Sequence, residues 1–407
     1  MENNKPQVRF KGFDEDWHEK KLEYLADFSK GKGYSKNDLT EKGIPIILYG
    51  RLYTNYKTII KNVETFVKAK GINILSKGGE VVVPASGETQ EDIVRASVVE
   101  KENVIIGGDL NIIIPNNELN SIFLALTISN GKVYNELVKR AQGKSVVHIR
   151  NNDLKEALIP YSNKTEQKKI SNFFENIDKL LIEHQQKQNK LKALKKAMLS
   201  KMFPQQGQTF PEIRFKGFTG DWDKTIISEL ADVSTGYAFD SKLFNRDGEY
   251  LVITNGNIQN ELAFVDSSYG NRIDIDTSLE HYVLNIGDIL VTMDGTVGRT
   301  AKTSKTKQIL AQRVGRLKAH TEPEFLYQLL NTGNFFKEMT LLSTGGTIKH
   351  ISLSNISNYK VLIPTDEDEK KMIGNYFKNI DNLIINLELQ IIKFQNIKKA
   401  FLAKMFI

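Results

Sequence analysis

The sequence predicts an α+β protein built as a tandem repeat, two β-rich heads each closed by one long helix, and three observations lead there. Val8-Arg9-Phe10-Lys11-Gly12-Phe13-Asp14-Glu15-Asp16-Trp17 returns as Ile213-Arg214-Phe215-Lys216-Gly217-Phe218-Thr219-Gly220-Asp221-Trp222, and Leu25-Ala26-Asp27 as Leu230-Ala231-Asp232, both displaced by 205 residues. Phe173-Phe174-Glu175-Asn176-Ile177-Asp178 returns as Tyr376-Phe377-Lys378-Asn379-Ile380-Asp381, and Lys201-Met202-Phe203 as Lys404-Met405-Phe406, displaced by 203. Between these edges the halves have diverged, and short β-branched runs alternate with turn residues. The expected division is a head at 1–160, a helix at 161–207, a second head at 208–364 and a second helix at 365–407.

Within the first head, Gly43-Ile44-Pro45-Ile46-Ile47-Leu48-Tyr49, Gly79-Glu80-Val81-Val82-Val83-Pro84 and residues 103–115 read as strands punctuated by Gly and Pro. The second head echoes them in Tyr250-Leu251-Val252-Ile253, Gly287-Asp288-Ile289-Leu290-Val291 and residues 312–317. A strand followed by a polar glycine turn recurs at an offset of 208, as Ser86-Gly87-Glu88-Thr89 and Asp294-Gly295-Thr296-Val297. Apolar spacings of three and four predict helices over residues 120–140 and 323–339.

The closing helices carry the clearest periodicity. From Ile170, one heptad position takes Ile170, Ile177, His184, Leu191 and Met198, and the other takes Phe173, Leu180, Lys187, Leu194 and Lys201. The second helix places Ile373, Ile380, Leu387, Phe394 and Phe401 against Tyr376, Leu383, Gln390, Ile397 and Lys404. Such spacing predicts a coiled-coil seam, and Phe174, Leu181, Phe377, Ile384 and Ile391 widen the stripe enough for a further neighbour. Glu166 and Glu369 fall near the helix starts, where an acid suits the dipole.

The net charge of +7 and pI near 9.1 suggest a polyanionic partner. Residues 166–203 carry +5 and 369–406 carry +4, so the rest of the chain is slightly acidic. With no cysteine there is no disulfide framework or cysteine-bound metal, which fits a reducing cytoplasm. Neither a signal-peptide core nor a run of roughly 18 apolar residues occurs, so a soluble protein is expected.

Catalytic signatures do not emerge. Gly143-Lys144-Ser145 lacks the upstream glycine of a phosphate-binding loop, since position 138 is Val138. An adenine methyltransferase's Pro-Pro tetrad is absent, and the six histidines are too dispersed for a metal cluster. His148 and His350 hold related places before an Ile, fitting an ordinary hydrogen-bonding or phosphate-contacting role. The chain reads as a binding protein without catalytic residues, metal or cofactor of its own.

Two variable heads, each followed by a Gly-x-x-x-x-His-Ile turn, an Ile-Pro exit and a long helix closing on Lys-Met-Phe, resemble the DNA-specificity (S) subunit of type I restriction-modification systems. The resemblance covers essentially the whole chain. It implies that each head is a target recognition domain reading half of a split double-stranded DNA site. It also implies that the two helices pack antiparallel on a pseudo-twofold frame and dock two methyltransferase (M) subunits for adenine N6-methylation. Motor-nuclease (R) subunits would join that core, with S-adenosylmethionine, ATP and Mg on the partners. Because the heads differ, the half-sites should differ. The alternative is a coiled-coil scaffold whose β-rich heads bind proteins.

The candidate DNA contacts are polar residues at the glycine turns and strand ends. In the first head they are Ser86, Glu88, Thr89, Gln90, Arg95, Lys144 and Ser145. In the second they are Asn255, Asn257, Asp294, Thr296, Arg299, Lys302, Lys305, Gln312, Arg313 and Lys349. The expected subunit interface is Ile170, Phe173, Ile177, Leu180, Leu191 and Leu194 on the first helix. On the second it is Ile373, Tyr376, Ile380, Leu383, Leu387 and Phe394.

Overall fold

The computed structural model describes residues 5–143, 146–259 and 262–407. They form two compact units, Met1–His184 with Gln390–Ile407, and Gln185–Leu389. The boundaries fall inside the two long helices, Lys164–Lys201 and Glu367–Met405. Each unit therefore contains one head, the first part of that head's own helix, and the last part of the other repeat's helix.

In the first unit a five-stranded sheet runs in the order Ala26–Lys30, Leu110–Pro115, Glu80–Pro84, Ser97–Val99, Ile59–Ile60. All its pairings are antiparallel except the last. The central strand is buried along its whole length. Val81 and Val83 face a core shared with the helix Ser121–Ile128, while Val82 faces Ile47, Leu110 and Ile112 on the other side. Burial on both faces explains why this strand is an unbroken valine run rather than an alternation. The second unit repeats the scheme with Ala231–Thr235, Val314–Ala319, Ile289–Thr292 and Thr300–Lys302. There Ile289 and Val291 face one core and Leu290 faces another.

Residues 103–115, read as strand punctuated by glycine, hold two strands, Ile105–Ile106 and Leu110–Pro115. Asp109 lies between them in a left-handed conformation, φ +57°. The helix expected over 120–140 is also two, Ser121–Ile128 and Gly131–Arg140. The break has a packing cause: Gly131 has φ +68°, a Cβ there would lie 2.6 Å from the carbonyl oxygen of Ile407, and Lys132 N–H donates to that oxygen at 2.6 Å. The second head breaks likewise at Gly333 between Pro323–Leu330 and Asn334–Leu342.

Aromatic side chains centre both units. Phe123 meets Trp17 with centroids 5.5 Å apart and Phe406 at 5.9 Å, and Phe406 meets Phe174 at 6.0 Å. The second unit repeats the cluster with Phe325, Trp222, Phe203 and Phe377. The Phe ending each repeat's helix thus completes the core of the other repeat's head.

The recurrent Arg-Phe-Lys-Gly-Phe entry has a specific task. Arg9 donates from Nε and Nη2 to Glu166 at 2.8 and 2.7 Å, and from Nη1 to the Glu15 carbonyl. Arg214 makes the equivalent fork to Glu369 at the same distances. Both carboxylates are buried, so a planar bidentate partner is what lets an acid occupy each helix start.

Within each unit the helix segments run antiparallel. Phe173 meets Phe401 at 4.9 Å, Asp178 pairs with Lys398, and His184 meets Phe394 at 5.4 Å. In the second unit Lys195 binds Asp381 at 2.6 Å. Ile170, Ile177, Ile373 and Ile380 are buried inside their own units. These four, expected at a subunit interface, serve the chain's own fold, because the head core and the other helix already cover their face. Phe173, Leu180, Leu191, Tyr376, Leu387 and Phe394 are half-buried. Leu194 and Leu383 stand 43% and 52% exposed. Among the described residues no helix is long and apolar enough to cross a membrane.

Candidate functional site

In each head three chain segments cross at the end of the central strands: the turn after Glu80–Pro84 or Ile289–Thr292, the residue before Leu110–Pro115 or Val314–Ala319, and the histidine loop. In the first head Ala85 N–H donates to Asp109 O at 2.8 Å, and Ile149 N–H donates to Ala85 O at 3.2 Å. In the second, Met293 N–H donates to Arg313 O at 3.2 Å, and Ile351 N–H donates to Met293 O at 3.0 Å. The same crossing is therefore built twice.

The histidine loops are closed by reciprocal backbone bonds, Gln142 with His148 and Thr344 with His350. A Cβ at Gly143 would lie 1.9 Å from Val146 O, and one at Gly345 2.3 Å from Ile348 O, which is why glycine opens both loops.

The side chains on this frame differ. In the first head Ser86 Oγ lies 3.2 Å from His148 Nδ1, and the Tyr53 hydroxyl donates to the Ser86 carbonyl at 2.7 Å. Burial pushes that phenol well above its ordinary range, so it stays a neutral donor. In the second head Asp294 Oδ1 takes His350 Nδ1 at 2.6 Å and Arg313 Nη1 at 3.4 Å. Asn255 Oδ1 accepts from Met293 N–H at 3.1 Å, and Gly295 N–H donates to Lys349 O at 2.9 Å. Gln312 N–H donates to Tyr237 O at 2.8 Å, bringing a partly exposed tyrosine alongside.

Of the predicted residues, the structure gathers Asn255, Asp294, Gln312, Arg313 and Lys349 around one crossing, with Ser86 at the other, and Thr296 is exposed in the same turn as Asp294, its carbonyl accepting from Thr292 Oγ1 at 2.6 Å. Glu88 is exposed beside Ser86. Thr89, Gln90 and Arg95 lie close by but have structural partners. Thr89 caps a short helix through Asp92 N–H, Gln90 Nε2 donates to Ala141 O at 2.8 Å, and Arg95 pairs with Asp92. Lys144 and Ser145 lie outside the described residues.

Two candidates are withdrawn. Asn257 is buried, its side chain accepting from Thr254 N–H and donating to the Asp266 and Tyr269 carbonyls. Lys302 is buried against Phe264 and Tyr327 and paired with Glu324 at 2.5 Å. A buried ammonium held by a carboxylate and two rings is not available to phosphate. Lys305 is exposed in the loop after the strand Thr300–Lys302. Arg299 is half-buried, and its Nε lacks a partner among the described residues.

Sequence reasoning missed Tyr53, Tyr237 and Asp109. Only Asp109 carried a usable signal, since it precedes its strand as Arg313 does, at an offset of 204. Among the described residues no group of three or more His, Cys, Asp or Glu is placed to hold a metal ion.

Residues 14–193 and 219–394 match the family described as "Type I restriction modification DNA specificity domain". The chain is 28% identical over 265 residues to the type I restriction enzyme MjaVIII specificity subunit of Methanocaldococcus jannaschii, covering 61% of each chain. It is 23% identical over 308 residues to the putative type I restriction enzyme MjaX specificity subunit of the same organism, covering 73% of this chain and 70% of that one. Among solved structures, it resembles the type I restriction-modification system S subunit from M. genitalium with TM-score 0.67, at 16% identity and 99% coverage of both chains. A chain from a structure of the assembly and conformational transition of the type I R-M system matches with TM-score 0.50, at 16% identity, over 96% of this chain and 97% of that one.

Proposed function

The chain belongs to the type I restriction-modification DNA specificity family, and from that premise we propose that it is the DNA-reading subunit of such a complex. Each head reads one half of an asymmetric, interrupted double-stranded site. The observation that carries this reading is the crossing built twice on one backbone frame, with Ser86, Asp109 and His148 in one head and Asp294, Arg313 and His350 in the other. A common frame suits a common ligand, and different exposed side chains suit different sequences. A few contacts worth about 1–3 kcal/mol each discriminate poorly alone, but two linked heads combine their selectivity.

The subunit itself is non-catalytic. It docks two methyltransferase subunits on its helices, where Leu194 and Leu383 remain exposed, and motor-nuclease subunits join that core. S-adenosylmethionine, ATP and Mg belong to those partners, and the complex works in the cytoplasm. Co-expression with the methyltransferase, followed by sequencing that detects N6-methyladenine, tests the reading. The expected result is one bipartite motif with unlike halves. Methylation of the same motif by the methyltransferase without this chain overturns it.

A further inference from the structure

Asp109 and Arg313 occupy the same place in the two heads, one residue before the strands Leu110–Pro115 and Val314–Ala319. Both are left-handed, with φ of +57° and +67°. Glycine adopts that conformation without steric cost, and Gly107 and Gly108 stand immediately before Asp109. An aspartate tolerates the left-handed region, but an arginine has no advantage there. A shared strained backbone bearing opposite charges is better explained by what the side chains must present than by turn chemistry.

Their surroundings agree. Asp109 is exposed, and its carboxylate has no hydrogen-bond or ion-pair partner among the described residues. Its carbonyl accepts from Ala85, next to Ser86, so it sits at the crossing proposed to meet DNA. Duplex DNA carries a negative charge about every 1.7 Å along its axis. A free carboxylate facing that polyanion is repelled unless it accepts a hydrogen bond from a base, and the exocyclic amino groups at the major-groove edge are cytosine N4 and adenine N6. Arg313 instead carries the fork that suits guanine O6 and N7.

We propose that Asp109 is a specificity-determining residue that accepts from the exocyclic amino group of one base in the first half-site, cytosine in the first place, as the counterpart of Arg313 in the second. This rests on the DNA-reading function proposed above, and one sequencing experiment separates the two. In wild-type complex with the methyltransferase, a bipartite motif upholds that function; its absence overturns both. With Asp109→Ala, one position of the first half-site should lose its preference for cytosine or adenine by roughly 5- to 150-fold, the second half-site staying unchanged. Asp109→Gly adopts the left-handed backbone without steric cost and removes the acceptor, so the same position should lose the same preference; this decides the matter if the alanine variant is inactive. An unchanged first half-site in Asp109→Gly, or relaxation confined to the second, overturns the proposal. Whether wild type takes cytosine or adenine there tells which amino group is bound.

Discussion

At the scale of single residues, stability turns on buried polar groups whose partners are far away in the chain. Glu166 is fully buried and depends on Arg9, whose guanidinium is in turn held more firmly protonated by that hydrogen bond. Removing one member of a buried pair leaves an unpaired charge, so Arg9→Ala should destabilise the first unit by about 3–5 kcal/mol, read as a shift in the urea midpoint. The two tryptophans offer a finer comparison. Trp17 Nε1 donates to Glu166 at 3.2 Å, whereas Trp222 Nε1 has no partner among the described residues. Replacement by Phe should therefore cost roughly 1 kcal/mol more at Trp17 than at Trp222. His320 gives a pH signature: the Asp232 carboxylate holds its pKa above the usual histidine range. A raised folded-state pKa means that the stabilisation is complete below the unfolded value near 6.5 and fades as pH rises through the folded value. Proton NMR should show His320 titrating above 6.5, and Asp232→Asn should return it to the ordinary range. The repeat marked Arg9, Trp17 and Glu166 as recurring residues, but sequence could not pair Arg9 and Trp17 with Glu166 across 157 and 149 positions, because contact at that separation depends on tertiary packing.

At the scale of elements, the helices divide into covered and open faces. Ile177 and Ile380 are each 5% exposed, so aspartate at either puts an uncompensated charge into the chain's own interior. Ile177→Asp should give misfolded or insoluble protein, seen as a lost cooperative melt. Leu194→Asp and Leu383→Asp should leave the melt within about 0.5 kcal/mol of wild type while weakening methyltransferase binding in a pull-down. Normal binding by a folded Leu194, Leu383 double variant would remove this face from the docking surface. The heptad period was legible because apolar spacing is a local property. Which neighbour covers the stripe was not, since a stripe records that a face is buried and says nothing of whose surface buries it. Lys302 shows the same gap in a strand: a lysine before a run of Ser, Thr and Lys reads as a solvent-facing contact, and only the packing of Glu324, Phe264 and Tyr327 makes it interior.

At the scale of the whole molecule, the duplication is an exchange of ends. Phe406 fills the space between Phe123 and Phe174, and Phe203 fills the matching space between Phe325 and Phe377. The two ends carry the same Lys-Met-Phe sequence, so each is chemically suited to the other's place. A truncated chain of residues 1–207 keeps the first head and its helix but loses residues 390–407, uncovering Phe123, Phe174 and Ile170. It also releases its own Phe203 from the second head. Two copies can repair both defects by placing each Phe203 in the other's first-head core, an exchange closed by twofold symmetry. Asp178 and Lys195, whose present partners are Lys398 and Asp381, would then pair with each other across the copies. The expected result is a dimer by light scattering, and a monomer carrying Phe203→Ala when the lost burial, about 3–5 kcal/mol per site, outweighs association. Such a dimer holds the first head twice, so with the methyltransferase it should methylate an interrupted palindrome made from the first half-site alone. Retention of the full-length chain's asymmetric motif by residues 1–207 would show that the second head is not what reads the other half.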